Sequence, residues 1–229
     1  METKIQLKKD GRKMKRMGKS FIASLCLLAT FILWTTAVCL VDVRAIGPRG
    51  SSVGFACINS FLHTLTGVHF GLYNITDWLG LVPIFVCMGF GVLGLVQWIK
   101  RKSVRKVDFS ILVLGGFYIV TMTAFLVFEC FVVNYRPVLI NGCLEASYPS
   151  STTLLVMCVM PTAVMQFNNR IKNKVLRNII SVTIIAFTVF MIFGRLLSGV
   201  HWLTDIVGGV LLSAGLVLMY RAIIGLEVR

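Results

Sequence analysis

The chain has 229 residues, of which 57% are hydrophobic and 14% are charged, and its mean hydropathy is +0.85. Because so small a share of charged side chains cannot cover a water-facing surface, the composition excludes a soluble globular protein and indicates an integral membrane protein. The formal net charge of +14 suggests a nucleic-acid partner only until the positions of the basic residues are considered.

Six apolar segments are long enough to cross a bilayer as helices. They cover residues 21–41, 78–99, 109–132, 152–167, 179–193 and 205–224. We therefore expect an all-α, polytopic membrane protein with about six transmembrane helices. Residues 1–20 form a basic cytoplasmic tail, and residues 21–229 form one six-span membrane domain.

The basic residues are distributed unequally between the two sides of this six-span arrangement. Nineteen of the 23 lysines and arginines lie on one side: in the N-terminal tail, in the stretches that follow the second and fourth segments, and at the C-terminal end of the chain. Loops rich in lysine and arginine stay in the cytoplasm, so both termini are expected there, in a plasma-membrane protein. The basic charge is then a signal of topology and an attraction for anionic lipid, and no nucleic-acid partner is expected.

The first outer segment, residues 42–77, begins with turn residues. Residues 53–65 within it follow the pattern of a short amphipathic helix, expected to lie along the membrane surface. This segment also carries His63 and His69. A helix of this kind borders a site that admits lipid, or it covers the bundle as a packing element.

The third outer segment holds the most informative spacing in the chain, Arg195-x5-His201-x3-Asp205. If Trp202 opens a helix, His201 and Asp205 share one face, and the carboxylate can hold one imidazole nitrogen while the other attacks. Arg195 can then bind an anion in front of that nitrogen. Taken singly, each residue also suits an interfacial histidine, a snorkelling arginine or a helix-start charge.

The second outer segment carries Arg136-Pro137 and, further on, Pro149-Ser150-Ser151. Serines at a helix start cap the helix, and the free backbone N–H groups there bind anions. Together with Arg195, the helix start at Ser150 and Ser151 predicts a site for a phosphoryl group, with His201 as the nucleophile. The cysteines, histidines and carboxylates form no spacing typical of a metal site, so neither metal nor cofactor is expected.

These elements resemble, in order and position, the type 2 phosphatidic acid phosphatase (PAP2) family. Its signatures are Lys-x6-Arg-Pro, Pro-Ser-Gly-His and Ser-Arg-x5-His-x3-Asp. Arg136-Pro137 matches the end of the first signature, Pro149-Ser150 the start of the second, and Arg195, His201 and Asp205 the charged positions of the third. The resemblance implies a phosphohistidine on His201, activation by Asp205, and phosphate binding by Arg136, Ser150, Ser151 and Arg195, without a metal.

The chain departs from these signatures at three places. Glu129 stands in place of the lysine, Gly194 in place of the leading serine, and Ser151-Thr152 in place of Gly-His. The missing histidine is the family's general acid, and such a group typically contributes about 10²–10⁴-fold to the rate. His63, His69, Glu129 or Glu145 could supply the proton instead. Without a substitute, lipid pyrophosphates should be hydrolysed better than lipid monophosphates, because their leaving group is less basic.

The resemblance implies a lipid phosphatase with its active site at the outer face of the plasma membrane. The substrate would be a lipid phosphate or pyrophosphate, such as an isoprenoid pyrophosphate, a phosphatidylglycerol phosphate or a phosphatidate. Two alternatives stay open: a catalytically weak relative that binds or translocates phospholipid, and a transferase that passes phosphate from one lipid to another acceptor. The sequence does not indicate an oligomeric state.

Overall fold

The computed structural model of the protein describes the backbone of residues 2–225 and the side chains of residue 14 and residues 17–225. The helices in chain order are α1 (Glu2–Leu40), α2 (Ala56–Thr66), α3 (Phe70–Leu79), α4 (Leu81–Arg101), α5 (Phe109–Cys130), α6 (Ser151–Arg170), α7 (Lys174–Leu197) and α8 (Leu203–Ile224). Within the described residues only isolated β-bridges occur, so the expected all-α polytopic fold is confirmed. The predicted tail, residues 1–20, begins α1, and most of its side chains lie outside the described set.

Five stretches of helix are long and apolar enough to cross a membrane among the described residues. They are Met17–Leu40, Phe70–Arg101, Phe109–Cys130, Lys174–Leu197 and Leu203–Ile224. The fourth predicted span, residues 152–167, forms α6, which is 20 residues long but does not meet the same apolar criterion. The reason is that α6 packs between α5, α7 and α8 and carries the buried polar side chains of Thr153, Thr162 and Gln166.

The second predicted span begins earlier than expected. Residues 70–79, assigned mainly to an outer loop, form helix α3, and Gly80 separates it from α4. The polar residues Asn74, Thr76 and Asp77 are typical of a loop. In the helix, however, the hydroxyl of Thr76 donates hydrogen bonds to the backbone carbonyl groups of Leu72 and Tyr73. The predicted amphipathic helix at 53–65 is α2, whose apolar side chains Ile58, Phe61 and Leu65 are exposed.

Helices α1 and α8 pack along one another through small residues. A Cβ atom on Gly215 of α8 would lie 2.8 Å from Cδ2 of Leu28, so a larger residue would push the helices apart. Ser24 of α1 donates a hydrogen bond to the Gly215 carbonyl at 2.7 Å. This close contact fixes α8, the helix that carries Asp205, against the rest of the bundle.

The end of the bundle that carries the basic loops is held by a polar cluster around Asp108 at the start of α5. Its carboxylate accepts hydrogen bonds from Gln97 at 2.8 Å and Arg101 at 2.9 Å, both on α4, and lies 3.4 Å from Arg170 on α6. Gln166 of α6 hydrogen-bonds to Tyr220 of α8. The cluster therefore joins α4, α5, α6 and α8 at the end remote from the residues that the signatures predict.

Candidate active site

A tight turn between α7 and α8 brings the histidine of the third signature into the bundle. Gly199 has a φ of +68°, and a Cβ atom there would lie 1.9 Å from the carbonyl oxygen of Gly67. Only glycine fits such a position. On the far side of the turn the backbone N–H of His69 donates to the Ser198 carbonyl at 3.0 Å, so the start of α3 is tied to this loop.

Two guanidinium groups converge on one nitrogen of His201. Nη1 of Arg136 lies 3.2 Å from Nε2 of His201, and Nη2 of Arg195 lies 3.3 Å from the same atom. Their exposed fractions are 8% for Arg136, 1% for Arg195 and 3% for His201. Arg136 comes from the loop after α5 and Arg195 from the last turn of α7, and the fold brings Arg136 to His201 although the two are 65 positions apart in sequence.

The other imidazole nitrogen of His201 faces Asp205, which is fully buried in the first turn of α8. Nδ1 of His201 lies 3.7 Å from Oδ2 of Asp205. That oxygen accepts a hydrogen bond from the backbone N–H of Trp202 at 2.9 Å, which makes Asp205 part of the helix cap. The helix starts at Leu203, so His201 lies just before it.

Asn134 and Asn59 hold the start of α8 from two other parts of the chain. Asn134 donates to Oδ1 of Asp205 at 3.2 Å. Asn59 of α2 donates to the hydroxyl of Thr204 at 3.0 Å. Both asparagines are buried with 1% exposure. Sequence analysis missed them because they lie about 70 and 145 residues from their partners and belong to no local motif.

The electrostatic surroundings keep the imidazole neutral. Burial and the positive charges of Arg136 and Arg195 together hold the pKa of His201 well below its usual value of 6.5. In a neutral imidazole one ring nitrogen carries a proton and the other carries a free electron pair. This nitrogen is available for nucleophilic attack if the proton resides on the side facing Asp205.

Helix α6 begins beside this group. The hydroxyl of Ser150 accepts a hydrogen bond from the hydroxyl of Thr153 at 3.1 Å. The backbone N–H of Ser150 donates to the backbone carbonyl of Asp205 at 3.0 Å. Ser150 is therefore the N-cap of α6, and its side chain is engaged within the cap. The first-turn N–H groups of Ser151 and Thr152 have no intrahelical partner, as in any helix.

Carboxylates accompany both arginines on the side away from His201. Nε of Arg136 lies 3.0 Å from Oε2 of Glu145, and a cavity of about 220 Å³ beside this pair is lined also by Glu129 and Ser151. Nη1 of Arg195 lies 3.4 Å from Oδ1 of Asp77, and the guanidinium carbon lies 5.1 Å from the centre of the Tyr73 ring. Asp77 belongs to α3, the helix that sequence analysis read as loop.

A second cavity, of about 470 Å³, runs from Asp77 along the groove between α4, α5 and α6. We call it the α4–α6 groove. Its polar end is formed by Asp77, Ser151 and Thr152, and the remainder is mainly apolar, with Ile84, Met122 and Phe125 among the lining residues.

The other residues predicted as possible acids lie around the site in different settings. Nε2 of His63 is 3.1 Å from the Gly199 carbonyl, and its ring packs against Trp202 with centroids 5.4 Å apart. Nε2 of His69 is 2.9 Å from the Thr66 carbonyl, on an exposed side chain. Glu129 is exposed at the rim of the cavity beside Arg136. In the described part of the chain, no group of three or more histidines, cysteines and carboxylates could hold a metal.

Comparison with known proteins agrees with this arrangement. Residues 125–228 match the PAP2 superfamily. A similar fold is found in the crystal structure of a transmembrane PAP2-type phosphatidylglycerolphosphate phosphatase from Bacillus subtilis, with a TM-score of 0.60 and 15% sequence identity. The match covers 90% of this chain and 97% of that one. No curated protein matches the sequence.

The matched residues include Arg136, Arg195, His201 and Asp205, and the fold around them is that of a membrane PAP2 phosphatase. The chain is a polytopic membrane protein with a PAP2-like fold, and its residues 125–228 match the PAP2 superfamily.

Proposed function

We propose that the protein is a membrane lipid phosphatase that hydrolyses a lipid phosphate or pyrophosphate through a phosphohistidine on His201. The observation that carries this proposal is the convergence of Arg136 and Arg195 on Nε2 of His201, at 3.2 and 3.3 Å. Two buried guanidinium groups so close together repel one another unless an anion lies between them. A phosphoryl group in that place would have its phosphorus next to the nucleophilic nitrogen.

The chemistry assigned to each residue follows from its position. Nε2 of His201 attacks phosphorus, and Asp205 takes the charge that develops on the ring at Nδ1. Arg136 and Arg195 neutralise the equatorial oxygens of the transferring group, which is the main requirement of phosphoryl transfer. The first-turn N–H groups of α6, on Ser151 and Thr152, are placed to donate to the same oxygens. Water then hydrolyses the phosphohistidine.

The lipid character of the substrate is supported by the α4–α6 groove. It meets the site at Ser151 and continues as a mainly apolar channel into the part of the bundle that lies within the membrane. A hydrocarbon chain in the groove would stay in an apolar environment while its phosphate reaches the arginines.

The orientation in the membrane is also part of the proposal. The site lies at the end of the bundle opposite to the loops after α4 and α6, which together with the adjoining helix turns carry nine of the fifteen basic residues outside the N-terminal tail. By the positive-inside rule those loops are cytoplasmic. We therefore place the site at the outer face of the plasma membrane, with both termini inside.

The test is phosphate release from a panel of lipid phosphates and pyrophosphates by purified protein and by its His201→Ala variant. We expect turnover by the wild type and none by the variant. Lys172→Ala, in the loop remote from the site, is the matched control and should retain full activity. A wild type that binds lipid phosphate but releases none would favour the non-catalytic alternative. Phosphate recovered on an added alcohol in place of water would favour the transferase.

A further inference from the structure

We propose that Asp77 is the general acid of this site and protonates the oxygen of the departing lipid, the task that a histidine performs in the family where this chain has Thr152. The inference deepens the proposed function and depends on it. It comes from the structure, because Asp77 belongs to no signature and precedes the nearest signature residue by more than 50 positions.

The position of Asp77 relative to Thr152 carries the argument. The two residues line the same end of the α4–α6 groove, together with Ser151. Asp77 is the acidic residue of that lining, and its side chain is 58% exposed. Its Oδ1 atom lies 3.4 Å from Nη1 of Arg195, whose Nη2 atom faces the nucleophile. One guanidinium therefore bridges the proposed acid and His201.

The leaving oxygen of a bound lipid phosphate lies on this side. The hydrocarbon chain is attached to the leaving oxygen, so a chain in the groove directs that oxygen toward the groove. An acid that serves the reaction must lie between the phosphorus and the chain, within hydrogen-bonding distance of that oxygen. Glu145 and Glu129 line the other cavity, beside Arg136, and so lie on a different side of the site.

The proton transfer balances over the two half-reactions. In the first, Nε2 of His201 forms a bond to phosphorus, the bond from phosphorus to the lipid oxygen breaks, and that oxygen takes its electron pair and the proton of Asp77. In the second, the Asp77 carboxylate accepts a proton from the water that attacks phosphorus, and the phosphorus–nitrogen bond breaks. The sum is lipid phosphate plus water giving lipid alcohol plus inorganic phosphate.

A second departure from the family signatures accounts for the position of Asp77. A Cβ atom on Gly194 would lie 2.7 Å from Cγ2 of Thr76, so the serine that the family has at this position would collide with α3. Glycine allows α3 to pack directly on the last turns of α7, and this contact brings Asp77 to Arg195. Two departures from the signatures are thus related: glycine at 194 lets α3 approach α7, and this approach places Asp77 beside Thr152, where the family has its histidine.

The histidines of the first outer segment are less suitable for this role. The ring of His63 contacts the Gly199 carbonyl and Trp202, and Nε2 of His69 contacts the Thr66 carbonyl. Neither lines the α4–α6 groove. Asp77 alone among these residues both contacts a phosphate-binding arginine and lines the groove beside Thr152.

The test uses two substrates with the same long-chain alcohol, an alkyl monophosphate and the corresponding alkyl pyrophosphate, in mixed micelles with the full-length protein. The alkoxide that leaves from the monophosphate is strongly basic and needs a proton. The alkyl phosphate that leaves from the pyrophosphate is much less basic and needs little help. We expect Asp77→Asn to lower kcat/KM for the monophosphate by about 10²–10⁴-fold and for the pyrophosphate by less than about tenfold. Thr152→His, added to Asp77→Asn, should restore monophosphate hydrolysis.

Glu145→Gln is the matched control, because Glu145 pairs with the other phosphate-binding arginine but does not line the groove. It should change both substrates by the same factor. Equal losses on both substrates in Asp77→Asn, or a loss selective for the monophosphate in Glu145→Gln, would overturn the assignment of Asp77 as the acid and leave the proposed function standing. Absence of any His201-dependent turnover of either substrate would overturn the proposed function and the assignment with it.

Discussion

Nδ1 of His201 and Oδ2 of Asp205 lie 3.7 Å apart, slightly beyond hydrogen-bonding distance. The carboxylate is fixed by the backbone N–H of Trp202 and by Asn134, so closing the gap requires a movement of the imidazole ring. Catalytic hydrogen bonds are often long before substrate binds and shorten in the complex. In the proposed reaction, a small rotation of the imidazole ring would bring Nδ1 to the carboxylate when a phosphoryl group binds between the arginines.

The first prediction concerns this pair. Asp205→Asn preserves the shape of the side chain but removes the charge that stabilises the imidazolium. We expect kcat to fall by at least about 10²-fold, with little change in KM. Steady-state kinetics with a lipid phosphate would measure it, and a variant with wild-type kcat would remove Asp205 from the mechanism.

The second prediction concerns the residue that positions Asp205. Asn134→Ala removes the 3.2 Å hydrogen bond to Oδ1, and we expect kcat to fall by about 10- to 100-fold because the carboxylate is no longer held. The control is Asn141→Gly, on the same loop, where the side chain is exposed and the φ of +49° suits glycine. Equal activities of the two variants would contradict a positioning role for Asn134.

The third prediction is the pH dependence of kcat/KM. The ring must be neutral to attack, so activity is lost as the pH falls through the pKa of His201, which lies well below 6.5. The acid limb of the profile should therefore lie below pH 6.5. Arg136→Gln removes one of the charges that depress the pKa, so its residual activity should show an acid limb shifted to higher pH. Arg44→Gln, which changes an exposed arginine paired with Asp42, should leave the limb in place.

The same shift affects stability. The unfolded chain protonates His201 at its ordinary pKa of 6.5, and the folded chain does so only at lower pH. Between these two values the unfolded state binds more protons, so the contribution of His201 to the free energy of unfolding rises with pH and is complete above 6.5.

The fourth prediction concerns the contact between α3 and α7. Gly194→Ser should lower the free energy of unfolding by about 1–3 kcal/mol, because its Cβ atom would lie 2.7 Å from Cγ2 of Thr76. Adding Thr76→Ser removes that methyl group, keeps the hydroxyl, and should recover most of the loss. Gly116→Ser on α5, with no atom within 4 Å of the new Cβ, is the control. Thermal unfolding in detergent would compare the wild type, these three variants and Thr76→Ser alone, and additive effects at 76 and 194 would contradict the contact.

The fifth prediction concerns orientation in the membrane. In a chain without native cysteines, Asn141→Cys lies on an exposed loop at the site end and Lys172→Cys on the exposed loop between α6 and α7. A membrane-impermeant thiol reagent applied to intact cells should label position 141 and spare position 172. The reverse pattern would place the site in the cytoplasm.

The part of the site that could be predicted from sequence is the part encoded locally. Arg195, His201 and Asp205 lie within eleven consecutive residues, and their spacing alone predicts a charged face at a helix start. Arg136 followed from the resemblance, since nothing near it in sequence indicates a phosphate site. Its approach to within 3.2 Å of His201 is a property of the folded bundle.

The residues that could not be predicted depend on contacts between distant segments. Asn59 was expected on a surface helix and Asp77 in a loop, and only the packing of α2 and α3 gives them their partners. Helix α6 was expected at residues 152–167 and forms there, although its buried polar residues make it less apolar than the other long helices.

The polar cluster around Asp108 has a mechanical consequence for the groove. It links α4, α5 and α6 at one end of the bundle, whereas the groove between the same helices meets the site at the other end. Parting these helices at the Asp108 end would break several charged hydrogen bonds, while parting them near Asp77 breaks mainly apolar contacts. If a lipid enters the groove sideways, we therefore expect the three helices to separate at the site end, beside the arginines, and to stay joined at the Asp108 end.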